Sequence, residues 1–226
     1  MWAAKLVLDS EPKWLRHFYL FDEKRRQVER LQALKAAQPS VKGRAIYVFH
    51  GDFNTEIVKL LRNKEISQRE ATLCLLDQRT FECHWETLAN LAAYKEKGMH
   101  KIELFYFLAS AWLPRALSGV RDTSLLEKWW GRDDWPKLKE MPPEDIKKEV
   151  VRRFKSDLDY KSVKEFPIYD HKGGGRIMYY MIHATDHPVA PHLMPRAYNR
   201  AIQPRETPEQ FLLSFQEERE GSGTES

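Results

Sequence analysis

Little in this chain marks it for a specialised compartment. It has only two cysteines, Cys74 and Cys83. Two thiols build neither a disulfide framework nor a zinc site, and they suit a reducing cytoplasm. No apolar run approaches the ~20 residues that a membrane helix needs. The opening "MWAAKLVLDSEPK" is too charged, and its apolar stretch too short, for a secretory signal. Neither sign of charge dominates: 37 basic and 33 acidic residues leave a net +4, which by itself gives no grip on nucleic acid. Glycine is scarce, and its one cluster, Gly173 to Gly175, lies far down the chain. These absences predict a soluble, cytoplasmic protein. What is present is apolar material: 42% hydrophobic residues, enough to build a core and to exclude disorder of the whole chain.

The apolar residues alternate between strand and helix patterns. "HFYLFD" (17–22), "RAIYVFHGD" (44–52), "ATLCLLD" (71–77) and "KIELFYFLA" (101–109) read as strands. "EKRRQVERLQALKAA" (23–37) sets Val28, Leu31 and Leu34 at helical spacing. "NTEIVKLLRN" (54–63) reads as a helix capped by Asn54, and "WETLANLAAYKEKG" (85–98) as one closed by Gly98. "WAAKLVLD" (2–9) reads as a helix stopped by Pro12. This order predicts an α/β fold, Rossmann-like, with a mostly parallel sheet and helices on both faces. Residues 122–158 are polar, helical and Trp-rich, with a helix start at Pro142-Pro143-Glu144-Asp145. "VKEFPIYD" and "RIMYYMIHAT" flank "HKGGG" and predict a C-terminal antiparallel hairpin. "APHLMPRAYNRAI" reads as a last helix. The chain thus divides into one domain, 1–202, with a helical Trp-rich insertion at about 110–160, and a flexible tail, 203–226, in which "PEQFLLSFQ" could dock as a helix.

Three successive strands end in acids, Asp22, Asp52 and Asp77. Ligands of open parallel sheets bind beyond the carboxyl ends of the strands. Asp22, with Glu23 after it, is placed to accept ribose hydroxyls, and Asp52 to accept from an adenine amino group, with Phe53 covering the base. Asp77-Gln78-Arg79 would then lie nearest the reacting group. Arg79 offers a fork for phosphate or carboxylate, and Glu82 and His84 are candidate proton acceptors. The structural alternative is equally open: each acid an ordinary N-cap, and Arg79 in a local ion pair with Glu82 or Glu86. Parallel strands followed by a terminal hairpin match the sheet of Rossmann-like methyltransferases.

"FYLFDEKRRQVERL", "CLLDQRTFECHWETLANLA", "KIELFYFLASAWLPRAL" and "YYMIHATDHPVAPHLM" together resemble the three-Cys-motif partner protein (TcmP) family. The resemblance covers most of residues 14–200. It implies a bacterial protein encoded beside a three-cysteine-motif protein and related to class I S-adenosylmethionine-dependent methyltransferases. It implies S-adenosylmethionine as cofactor, held by Asp22, Glu23, Asp52 and Phe53. It sets Asp77, Arg79 and Phe81 at the catalytic position, Asp77 accepting from a target amino group and Phe81 stacking on a base, with nucleic acid a candidate substrate. Gln78 and Arg79 stand where amino-methylating enzymes carry prolines. Members of the family carry a glycine-rich segment of the type Asp-Gly-Phe-Ala-Gly-Pro-Gly upstream, and nothing of the kind occurs here. The first strand is therefore expected to be missing, and cofactor binding by this chain alone to be weak or absent. The rival reading is a non-enzymatic partner of the three-cysteine-motif protein, of iron–sulfur, radical type, with the Trp-rich segment as docking surface.

Other clusters are weaker. His183, Asp186, His187 and His192 match no metal-ligand spacing, so no metal is expected. Trp129, Trp130 and Trp135, near Lys128, Arg132 and Lys137, suit base stacking. Asp133 and Asp134 interrupt that basic surface and favour packing or a partner contact. "KKEVVRRFK" (147–155) reads as a solvated helix face.

Overall fold

The computed structural model describes residues 3–10, 14–171 and 174–202. Its elements follow the order α1 (Ala3–Asp9), β1 (His17–Asp22), α2 (Arg25–Ala36), β2 (Ala45–His50), α3 (Phe53–Arg62), β3 (Leu73–Leu76), α4 (Trp85–Ala93) and β4 (Glu103–Leu108). Then come α5 (Leu113–Gly119), α6 (Thr123–Trp130), a 3-10 helix (Trp135–Lys139), α7 (Pro143–Ser156), β5 (Ser162–His171), β6 (Gly174–Thr185) and α8 (Ala190–Ile202). The alternation read from the sequence is present. Pro12, Lys172 and Gly173, where the sequence predicts a turn, and the residues from Gln203 on lie outside the described residues.

The sheet departs from expectation. β1 and β2 pair in parallel as a two-stranded sheet, and β3, β4, β6 and β5 form a second sheet in that order. Only β3 and β4 are parallel in the second sheet; β6 runs antiparallel to both β4 and β5. A mostly parallel Rossmann-like sheet with helices on both faces is therefore not what forms. Strand–helix alternation specifies each local parallel pair, β1 with β2 and β3 with β4. It does not specify that one pair hydrogen-bonds to the other, and no ladder joins them among the described residues. The long hairpin then makes the larger sheet predominantly antiparallel.

One face of the larger sheet is well covered. Leu104, Tyr106 and Leu108 alternate along β4 and are buried, as the period of two requires. Against the shared core pack Leu60 of α3, Leu88 and Leu91 of α4, Leu126 and Trp129 of α6, and Val150 and Phe154 of α7. Each fully buried side chain of this size contributes about 1.5–3 kcal/mol. Trp129 and Trp130 are thus core, with the Trp129 indole donating to the Tyr106 hydroxyl at 2.7 Å. They offer neither a base-stacking platform nor a partner surface. Gly131 ends α6 in the left-handed conformation at φ 67°. A Cβ there would lie 2.5 Å from the Trp85 Cβ, so glycine permits both the cap and the close approach of α4.

The helix expected to be solvated is only partly so. Arg153 is 1% exposed, its guanidinium 3.6 Å above the Trp85 ring and 4.6 Å from that of Trp130. On the opposite face of the sheet, α8 covers the β5 end, where the rings of Tyr198 and Phe166 lie 5.0 Å apart. The β3 end stays open: Leu73 is 53% and Leu75 41% exposed. Among the described residues, no helix is long and apolar enough to cross a membrane.

Candidate functional site

The carboxyl ends of β1, β2 and β3 share one rim. β1 and β2 are in register, with Asp22 opposite His50, so Asp22 and Asp52 emerge side by side. Asn54 ties this rim to the segment after β3. Its Nδ2 donates to Asp52 Oδ1 at 2.9 Å and to the Glu82 carbonyl at 2.8 Å. Its Oδ1 accepts from the His84 N–H and the Thr87 hydroxyl, both at 2.8 Å. The sequence pattern marks Asn54 as a helix cap. In the structure the cap is Asp52, and Asn54 is the buried cross-link between α3 and α4.

Asp52 is fully engaged. One oxygen accepts from the N–H and the side-chain amide of Asn54, the other from the N–H and hydroxyl of Thr55. Burial pushes its pKa up, but these bonds outweigh burial and hold the carboxyl below its usual range. A lowered folded-state pKa means stabilisation that is complete above the unfolded value near ~3.9 and is lost as pH falls through the folded value. Asp52→Ala is therefore expected to cost about 1 kcal/mol at pH 7. The cost should shrink at pH 3, as urea midpoints of the two proteins would show; an equal difference at both values would rule out this role.

Asp22 is differently placed. It is half-buried, and its Oδ1 accepts from the Lys24 N–H at 2.8 Å. Its other oxygen has no partner among the described residues. Glu23 is exposed and its carbonyl accepts from the His50 ring at 3.1 Å. Phe53 meets the Phe21 ring edge-on at 5.3 Å, packed against the core.

Past β3, Asp77 and Arg79 are exposed and form no ion pair among the described residues. Arg79 makes no side-chain link to Glu82 or Glu86; its backbone N–H donates to Glu82 Oε2 at 2.9 Å. Gln78 is buried and braces the loop, donating to the Phe107 carbonyl at 3.2 Å and accepting from the Cys83 N–H at 3.0 Å. Phe81 is core, 5.0 Å from Trp129 at 64°, and presents no face to a base. A cleft of about 300 Å³ opens between α3 and α4, lined by Asp52, Lys59, His84, Glu86 and Asn90 among others. Burial holds the His84 imidazole below its ordinary pKa, against the opposing pull of Asp52.

The remaining candidates are structural. His183 is buried, paired with Glu103 at 3.0 Å and stacked on Phe105. Asp186 accepts from the Lys161 N–H. Among the described residues no group of three or more His, Cys, Asp and Glu side chains is arranged to hold a metal ion. Both cysteines are free, and burial pushes the Cys83 thiol up, away from thiolate chemistry. Sequence reasoning missed Lys95, a buried ammonium satisfied by the carbonyls of Ser67 and Glu70 and the Thr72 hydroxyl.

No family model, no curated protein and no solved structure matches the chain. Set against a nucleoside cofactor, the geometry fits only in part. Asp22 is presented on the rim. Asp52 is spent, Phe53 lies against Phe21, and Asp77 follows a strand of the other sheet.

Proposed function

We propose that this chain is a three-Cys-motif partner protein that works as an interaction protein, in a complex with its three-cysteine-motif protein, and does not transfer methyl groups unaided. One observation carries this reading. β1 and β3 expose unpaired strand edges beside the uncovered Leu73 and Leu75, in a protein whose Asp52, one of the expected cofactor acids, is committed to capping its own helix. Exposed strand edges and apolar patches of this kind mark interaction sites. Within the Trp-rich segment Trp129 and Trp130 are buried and take no part in docking, while Trp135 is half-buried.

The test is co-expression with the three-cysteine-motif protein and calorimetry on the chain alone. A stable heterocomplex, and no micromolar binding of S-adenosylmethionine by the isolated chain, are the expected results. Micromolar binding with methyl transfer by the isolated chain would overturn the reading. A second reading, cofactor binding by the assembled complex, is favoured by the second oxygen of Asp22 on the rim. In that case Asp22→Ala should lower the complex's affinity for S-adenosylmethionine at least tenfold, since the ribose contact would be lost, and unchanged affinity would remove the role.

A further inference from the structure

β2 lies at an outer edge, with β1 on one side and no strand on the other. Main-chain bonds at its two ends fix which groups face which way. The Ala45 N–H donates to the Arg16 carbonyl at 2.7 Å, and the Gly51 N–H to the Asp22 carbonyl at 3.1 Å. A strand residue points its N–H and C=O to one side, and the next residue points its own to the other. Ala45, Tyr47, Phe49 and Gly51 therefore serve the ladder with β1. Ile46, Val48 and His50 turn their main-chain groups outward, where nothing among the described residues pairs with them.

This edge is not blunted. Proteins protect exposed edges with charge, proline or cover. β5, at the outer edge of the larger sheet, carries Lys164, Glu165, Pro167 and Asp170. β2 reads Ala-Ile-Tyr-Val-Phe-His and holds neither proline nor a permanent charge. Tyr47 stays 44% exposed although its ring stacks on Tyr19 at 5.3 Å. Phe49 follows on the same face, stacked on Phe21. The charges sit beyond the strand and differ in sign. Lys42 and Arg44 precede it. Asp52 follows it, with Glu23 alongside, where the Glu23 carbonyl accepts from the His50 ring.

We propose that β2 is a self-pairing edge, through which two copies of this chain join antiparallel about a two-fold axis at Val48. The edge is distinct from those of β1 and β3, and its pairing does not depend on the three-cysteine-motif protein. A two-fold interface must be self-complementary, and this register is. Val48 comes opposite Val48 of the second copy, Ile46 opposite His50, and His50 opposite Ile46, so each outward residue meets an outward residue. Residues opposed in this way exchange both of their N–H···O bonds. Tyr47 comes opposite Phe49, which covers the exposed ring with an aromatic cross-strand pair. Arg44 comes opposite Asp52, so the basic end of each strand meets the acidic end of the other. Sliding the register by two residues leaves one outward residue of each strand without a match in the other. Pairing along six residues makes a small interface, below ~1,200 Å², so the dimer is reversible and dissociates on dilution.

Sedimentation velocity and residue-resolved hydrogen exchange on the full chain, from low to high micromolar concentration, test the edge. The sedimentation coefficient should rise from that of a monomer to that of a dimer. Over the same range the amides of Ile46, Val48 and His50 should slow at least tenfold, while those of Tyr47 and Phe49 are already protected by β1 at the lowest concentration. Val48→Lys sets two like charges directly opposite each other and should abolish the dimer, as should Val48→Glu. An equimolar mixture of the two variants should restore it, a result that a folding defect in either could not produce. A protein that stays monomeric throughout, or a dimer protected at β1, β3 or β5 instead, would overturn the proposal. So would slow exchange of the three outward amides at every concentration, which would mean that the chain covers this edge itself. A mixture of folded variants that stays monomeric would also sink it; should both variants unfold, the exchange pattern of the parent decides alone.

Discussion

Arg153→Ala is expected to lower folding stability by about 3–5 kcal/mol, a large fraction of the 5–15 kcal/mol that holds a typical domain together. The side chain is 1% exposed. Its Nη1 donates to the Trp130 carbonyl at 2.6 Å and its Nε to Asp157 Oδ2 at 2.9 Å. The guanidinium lies over two indoles, so truncation removes two charge-assisted bonds, two cation–π contacts and the packing volume between α4, α6 and α7. It also leaves the Trp130 carbonyl unpaired. Arg153→Lys keeps the charge but not the planar fork, and should recover only part of the loss. The adjacent Arg152 is the control. It pairs with Glu149 on the exposed face of the same helix, and Arg152→Ala should fall within about 0.5 kcal/mol of the parent. Urea midpoints that move equally for the two variants would show that Arg153 carries no special burden.

The contrast between these neighbours shows what the sequence reveals and what it hides. In "KKEVVRRFK" the two arginines are indistinguishable, and charge density alone argues for a solvated face. Arg153 is buried because Trp85, far away in the chain, is carried by α4 to lie beneath it. Periodicity reports on local structure, so the strands, helices α2 to α4 and the hairpin are legible. Hydrogen-bonding between one parallel pair and the next is a long-range property, and the larger sheet turns out mostly antiparallel, with β1 and β2 apart from it. At the candidate site the shared rim of Asp22 and Asp52 could be read from the strand ends. That Asp52 is consumed by its own helix, and that Phe81 faces Trp129, depended on geometry with no signature in residue spacing.

Asn54→Ala should destabilise by about 2–4 kcal/mol, because one deletion strands three groups. The residue is 9% exposed, and its amide completes the Glu82 carbonyl, the His84 N–H and the Thr87 hydroxyl. Asn63, an exposed residue at the other end of the same helix, is the control, and Asn63→Ala should cost less than about 1 kcal/mol. Asn54→Asp separates hydrogen bonding from packing. The new carboxylate would accept from His84 and Thr87, but when ionised it has no proton for Glu82 and stands beside Asp52. Burial and the Asp52 charge raise its folded-state pKa above the unfolded value near ~3.9. An acid whose folded pKa is raised favours the protonated form, so the deficit against the parent should grow as pH rises through that window. Measured as the difference in urea midpoint from the parent at pH 4 and pH 7, Asn54→Asp should be the worse variant at pH 7. A pH-independent deficit would mean that the Asn54 amide proton is not what ties the start of α3 to the segment after β3.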